Sequence, residues 1–194
     1  MRLPIAILAL VALATPAAAQ RLDTRRIDIR ETADATTCGF NAYPQMTLND
    51  ATKSGRRKVA SWNGAPAENA DARMKLAWEP AETNWRTPPF LGVGFTVPAD
   101  AGLSRDSVAG AGLIIDDGKP IPLLYNASRD RLVFAANKDT DNVGARIVGS
   151  DSVILEILDS AGTALRRYSW DTHRLADAVE TVSVVGWSCT SNDR

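Results

Sequence analysis

The chain has 194 residues, with 22 Lys and Arg against 23 Asp and Glu and a formal net charge of −1 at pH 7. Charges of both signs are mixed along it, so no global field points to nucleic acid or to an anionic membrane. Two cysteines without CxxC spacing and a single histidine argue against redox catalysis and against a zinc centre.

In chain order the first reading is an export signal over residues 1–19. Arg2 supplies a positive start, residues 5–14 an apolar run, and Ala17, Ala18 and Ala19 a small-residue cleavage site before Gln20. That apolar run is too short to span a bilayer, and no later stretch reaches the ~20 continuous apolar residues of a spanning helix. No cysteine follows the run, so a lipid anchor there is not expected. The mature chain of about 175 residues is one domain with a real core. In the oxidising compartment beyond the membrane, periplasmic or secreted, Cys38 and Cys189 are most simply one structural disulfide.

Residues 20–71 read as a polar, irregular N-terminal extension, pinned to the body by Cys38, with brief apolar pairs at Ile27/Ile29 and Met46/Leu48. From residue 72 to 194 the hydrophobic period becomes two, the mark of half-buried strands. Met74, Leu76 and Trp78 alternate with Lys75 and Ala77; Leu91, Val93, Phe95 and Val97 alternate with Gly92, Gly94 and Thr96. Leu113, Ile114 and Ile115 lead into Asp117-Gly118, a hairpin signal, with a return strand over 121–125 that Pro120 and Pro122 assign to an edge. Residues 132–135, 153–158 and 164–170 follow as strands separated by turn residues. Leu175, Ala178, Val179 and Val182 fall at i, i+3, i+4 and i+7, a short amphipathic helix, and a last strand is expected over 184–189. The sum is all-β: an antiparallel sandwich or flattened barrel with one short C-terminal helix and an irregular N-terminal arm.

Four stretches resemble the invasion-associated-locus-B family of exported bacterial proteins. Leu91-Gly92-Val93-Gly94-Phe95-Thr96-Val97-Pro98 looks like its glycine-containing strand ending in proline, and residues 113–122 look like its Asp-Gly hairpin. Residues 152–162 resemble its late strand and turn, and Tyr168-Ser169-Trp170 with Leu175-Ala176-Asp177-Ala178 its strand-then-helix ending. The resemblance runs over about 90–189. The chain departs from that family in having no cysteine pair after the hairpin and no tryptophan-and-cysteine strand around Trp62. The resemblance implies an exported, non-enzymatic sandwich with an envelope or host-interaction role, and supplies no catalytic residues.

The candidate sites are few. Trp62 and Trp85, in loop-like surroundings, are candidate contact residues for a partner or a sugar ring; the alternative is that they pack the N-terminal arm while Trp78, Trp170 and Trp187 sit in the core. Arg56, Arg57 and Lys58 form a basic run that fits an acidic partner or anionic glycolipid, or is solvated loop. His173 with Asp171 or Asp177 is the one general acid–base option, and its place in the first helical turn points instead to a surface residue. Asn137, Asp139 and Asp141 alternate like calcium ligands, but Asn142 and Val148 stand where that loop needs Gly and Glu. Asn126-Ala127-Ser128 fits a glycosylation sequon, which means nothing in a bacterial periplasm. No catalytic residue, metal or cofactor is assigned. The expected function is non-catalytic binding of an envelope or extracellular protein, with a carbohydrate-binding module and a hydrolase around His173 as alternatives.

Overall fold

The computed structural model describes residues 27–40, 43–80, 88–100, 102–127, 130–137 and 142–185. In chain order they form β1 (Ile27–Glu31), β2 (Thr36–Phe40), β3 (Tyr43–Asp50), β4 (Lys58–Gly64), β5 (Arg73–Trp78), β6 (Phe90–Pro98), β7 (Gly110–Ile115), β8 (Ile121–Pro122), β9 (Leu124–Ala127), β10 (Arg131–Ala135), α1 (Val143–Val148), β11 (Ser152–Leu158), β12 (Ala164–Asp171) and α2 (Leu175–Val185). Two antiparallel sheets result, one in the order β1-β2-β3-β4-β5-β6-β10-β9 and one in the order β12-β11-β7-β8. The molecule is an all-β sandwich, not a closed barrel.

Period-two alternation decides which face is core. In the large sheet, the register aligns inward residues in transverse rows: Cys38, Leu48, Ala60 and Trp78; then Met46, Trp62, Leu76 and Val93; then Gly64, Met74, Phe95, Phe134 and Tyr125. The small sheet answers with Ile115, Val153 and Trp170, and with Leu113, Leu155 and Tyr168. Nearly all of these are buried. Trp170 joins the layers: its ring lies 5.3 Å from that of Phe95, and its Nε1–H donates to the Gly64 carbonyl at 3.0 Å. An indole buried in this way would otherwise lose a hydrogen bond worth about 1–3 kcal/mol.

Eight strands are wider than four, so the small sheet leaves part of the large sheet's inner face open. α2 packs against β3 there. Its Leu175, Ala178, Val179 and Val182 are buried, as the helical spacing predicts. Ser183, fully buried, accepts the Trp78 Nε1–H at 3.1 Å.

Five expectations are corrected. The extension expected over 20–71 is, from Ile27 onward, four regular strands, and no boundary falls at 71/72 because β4 pairs with β5. Their outward residues are mostly Thr, Gly, Gln, Ser and Asn and their inward ones include Thr36, Ala60 and Gly64, so low hydrophobicity hid the alternation. The tight turn after β7 centres on Asp116-Asp117: the Gly118 amide donates to the Ile115 carbonyl at 3.0 Å, and Asp116 has φ 49°. The return strand breaks at Leu123, β8 staying with β7 while β9 crosses to β10. Val184 and Val185 end α2 instead of starting a strand, and residues 186–189 lie outside the described residues. Asp139 and Asp141 also lie outside them, while Asn142 to Val148 form the N-cap and body of an unanticipated helix.

Candidate functional site

One open cleft of about 360 Å³ lies where the start of β3, the end of β4 and the approach to α2 converge. Its floor is apolar: Met46 and Trp62, paired across β3 and β4, with Leu175 and Ala178 from α2. Tyr43, Gln45, Asp171, His173 and Arg174 form the rim.

The floor depends on Gly64. Trp62 and Gly64 share one face of β4, and a Cβ on Gly64 would stand 2.1 Å from Trp62 Cζ2. Only glycine there lets the indole lie flat along the strand, where it is 9% exposed.

The rim is anchored from beneath. Thr172 donates its hydroxyl to the Ser150 carbonyl at 2.9 Å, Ser150 donates to the Ile147 carbonyl at 2.8 Å, and the two hydroxyls lie 3.0 Å apart, all buried. The amides of Asp151 and Ser152 both donate to Asp116 Oδ1 at 3.0 Å. Asp151 is thereby set facing His173, whose Nδ1 is 2.9 Å from Asp151 Oδ1, while the His173 amide donates to Asp171 Oδ1 at 3.0 Å. The hydrogen bond to Asp151 and its negative charge raise the His173 pKa above the ordinary value, with a smaller push from Asp171. A neutral His173 facing this carboxylate carries its proton on Nδ1, leaving Nε2 as the basic nitrogen. Both side chains are largely exposed, so solvent screens the pair.

The sequence candidates separate in space. Trp62 and His173 come together in the cleft, Trp62 as floor and not as an exposed platform. Trp78 and Trp170 are core; Trp85, Trp187 and Cys189 lie outside the described residues. Cys38 is fully buried, and no free cysteine is found among the described residues. The basic run sits at the far tip of the β3–β4 hairpin and divides by role. Lys58 pairs with Asp50 at 3.1 Å, both side chains mostly buried, Arg57 meets Glu79 at 3.2 Å on the surface, and Arg56 is exposed. Tyr43, Gln45, Met46, Arg174 and Asp151 were missed. Met46 had a signal, its alternation with Leu48; for the others only the strand register and the sheet-to-helix packing bring them together.

No family model, curated protein or solved structure matches this chain.

Proposed function

We propose that this protein is exported to the periplasm or beyond and binds, without catalysis, a protein of the envelope or host, with the cleft as the contact site. The observation that carries this reading is an apolar floor under polar groups that are not consumed internally: among the described residues, Gln45 and Arg174 have no side-chain partner. A partner's apolar side chain set on Trp62 and Met46 gains from leaving water, while Gln45 and Arg174 offer donors to the backbone or carboxylate beside it. The resemblance to the invasion-associated-locus-B family belongs to the same reading, as does a disulfide from buried Cys38 to Cys189.

The test is a photo-crosslinking amino acid in place of Gln45 in the mature, oxidised protein, exposed to envelope extract. The same group in place of Lys75, exposed on the outer face of β5, is the control. A product formed from position 45 alone, and weakened by Arg174→Ala, supports the reading. Equal products from both positions, or none, would end it.

A second reading rests on the His173–Asp151 distance of 2.9 Å, which is the geometry of a base and its orienting carboxylate. It ranks below because the pair stands in bulk water and, among the described residues, no serine, threonine or cysteine lines the cleft. Hydrolysis of an activated ester that is lost in His173→Gln with the fold intact would promote it. A sugar platform requires two exposed tryptophans; Trp62, Trp78 and Trp170 are buried, so it would rest on Trp85 and Trp187, which lie outside the described residues.

A further inference from the structure

A second concavity, of about 480 Å³, opens at the other end of the β3–β4 hairpin, lined by Asn49, Ala51, Gly55, Arg56, Arg57 and Val59. Met46 of the cleft and Asp50 at the hairpin tip are four residues apart, about 13 Å of strand. Asn49 and Val59 belong to the outward set of these strands, whereas the floor of the cleft is built on the inward pair Met46 and Trp62.

Local chemistry leaves this concavity positive. The loop between the strands turns through Thr52–Ser54 and Gly55, whose φ of 72° sends the chain back toward β4 and presents Arg56 and Arg57 in succession. The one carboxylate at the base of the loop is already engaged. Asp50 accepts from the Thr52 amide at 3.1 Å and the Thr52 hydroxyl at 2.6 Å, and pairs with Lys58. Glu79 meets Arg57 at Nη1, and among the described residues the rest of that guanidinium has no partner, on a side chain that is 66% exposed. Lys53 and Arg56 have no ion-pair partner among the described residues. Among the described residues the concavity therefore joins one unpaired and one partly paired guanidinium with the Asn49 amide, beside a lysine without an ion-pair partner on the same loop.

We infer that this concavity binds a phosphate group carried by a small or lipid-borne ligand, with Arg56 and Arg57 as the recognising residues. Guanidinium donors lie in planar forks that match phosphate oxygens. A phosphate offers enough oxygens to accept from two arginines and an amide at once, which a carboxylate with two oxygens does less well. This inference does not depend on the cleft or on the binding proposed there.

The experiment uses the mature, oxidised protein in two arms: flotation with phosphatidylcholine vesicles with and without phosphatidylglycerol, and calorimetric titration with inorganic phosphate. Binding is expected to fall with salt. Each cation near an anionic surface is worth about a fivefold change in affinity, so Arg56→Gln should weaken binding about fivefold and Arg56→Gln/Arg57→Gln about 25-fold. Lys58→Gln/Asp50→Asn, which removes an internal ion pair without changing the net charge, should lower the melting temperature and leave binding unchanged. Binding to phosphatidylglycerol vesicles alone assigns the phosphate to a lipid, and saturation by inorganic phosphate assigns it to a soluble ligand. Absence of binding in both arms, or binding that survives the double substitution in a folded protein, overturns the inference.

Discussion

At the scale of single residues, three positions decide more than their chemical type suggests. Gly64 is held to glycine by the indole beside it. Gly64→Ala is expected to destabilise by about 1–3 kcal/mol as Trp62 shifts, and to move the tryptophan emission as the cleft floor is disturbed. Unchanged emission and melting temperature would show that the indole has room elsewhere. Asp50 is a balance of opposed effects: burial raises its pKa, but hydrogen bonds from Thr52 and Lys58 with the Lys58 charge outweigh it and hold the carboxyl below its usual range. A lowered folded-state pKa contributes stability above the unfolded pKa that is lost as pH falls through the folded value. Lys58→Met should therefore destabilise by about 1–3 kcal/mol at neutral pH, less than a fully buried pair broken on one side, and by much less in acid. Denaturant titrations at the two pH values check this; a loss equal at both would remove the ion pair from the account. His173 runs the other way. Its raised pKa gives stabilisation that is present below the unfolded value and lost as pH rises through the folded one. An NMR titration should place its midpoint above that of an unperturbed histidine, and Asp151→Asn should bring it back down.

At the scale of elements, α2 is the piece that closes the sandwich. Its stripe of Leu175, Ala178, Val179 and Val182 was legible from spacing, because burial on one face imposes the 3.6-residue period whatever lies opposite. What it lies against was not legible, since nothing local records that the large sheet is wider than the small one. Ser183→Ala would leave the Trp78 Nε1–H without its acceptor, at a loss of about 1–3 kcal/mol measured by chemical denaturation. α1 makes a similar demand: a Cβ on Gly144 would come within 2.5 Å of Phe90 Cγ. Gly144→Ala should thus lower the melting temperature although alanine favours helix by about 1 kcal/mol. A rise would mean that Phe90 yields freely. The strand edges differ in their protection. The small sheet's β12 carries Arg166 and Arg167, paired with Asp100 and Glu156, and its Ser169 amide donates to Glu68 at 3.2 Å. Such charges and caps deter pairing with another chain.

At the scale of the whole molecule, a bridge from Cys38 would tie the second strand of the large sheet to the far end of the chain. Closing a loop of about 150 residues adds at most about 4–5 kcal/mol by restricting the unfolded chain. Reduction, or Cys38→Ser, should lower the melting temperature without changing the secondary-structure spectrum, while a thiol assay that finds two free cysteines in the native protein would remove the bridge. The sequence alone determined the all-β class, most of the strands from Arg73 onward and the helix after Asp171, because each is written in a hydrophobic period that local geometry enforces; sandwich over barrel, and the break between β8 and β9, came from the tertiary structure. It also marked Trp62 and His173 as residues worth following. It did not disclose that the polar stretch from Ile27 to Gly64 holds four strands, since strands with small polar outward residues resemble loop in composition. Nor did it join Trp62 to His173, or part Lys58 from Arg56. Those outcomes depend on strand register and on which side chains consume one another's charge, and only the folded chain, bringing residues a hundred positions apart into contact, decides them.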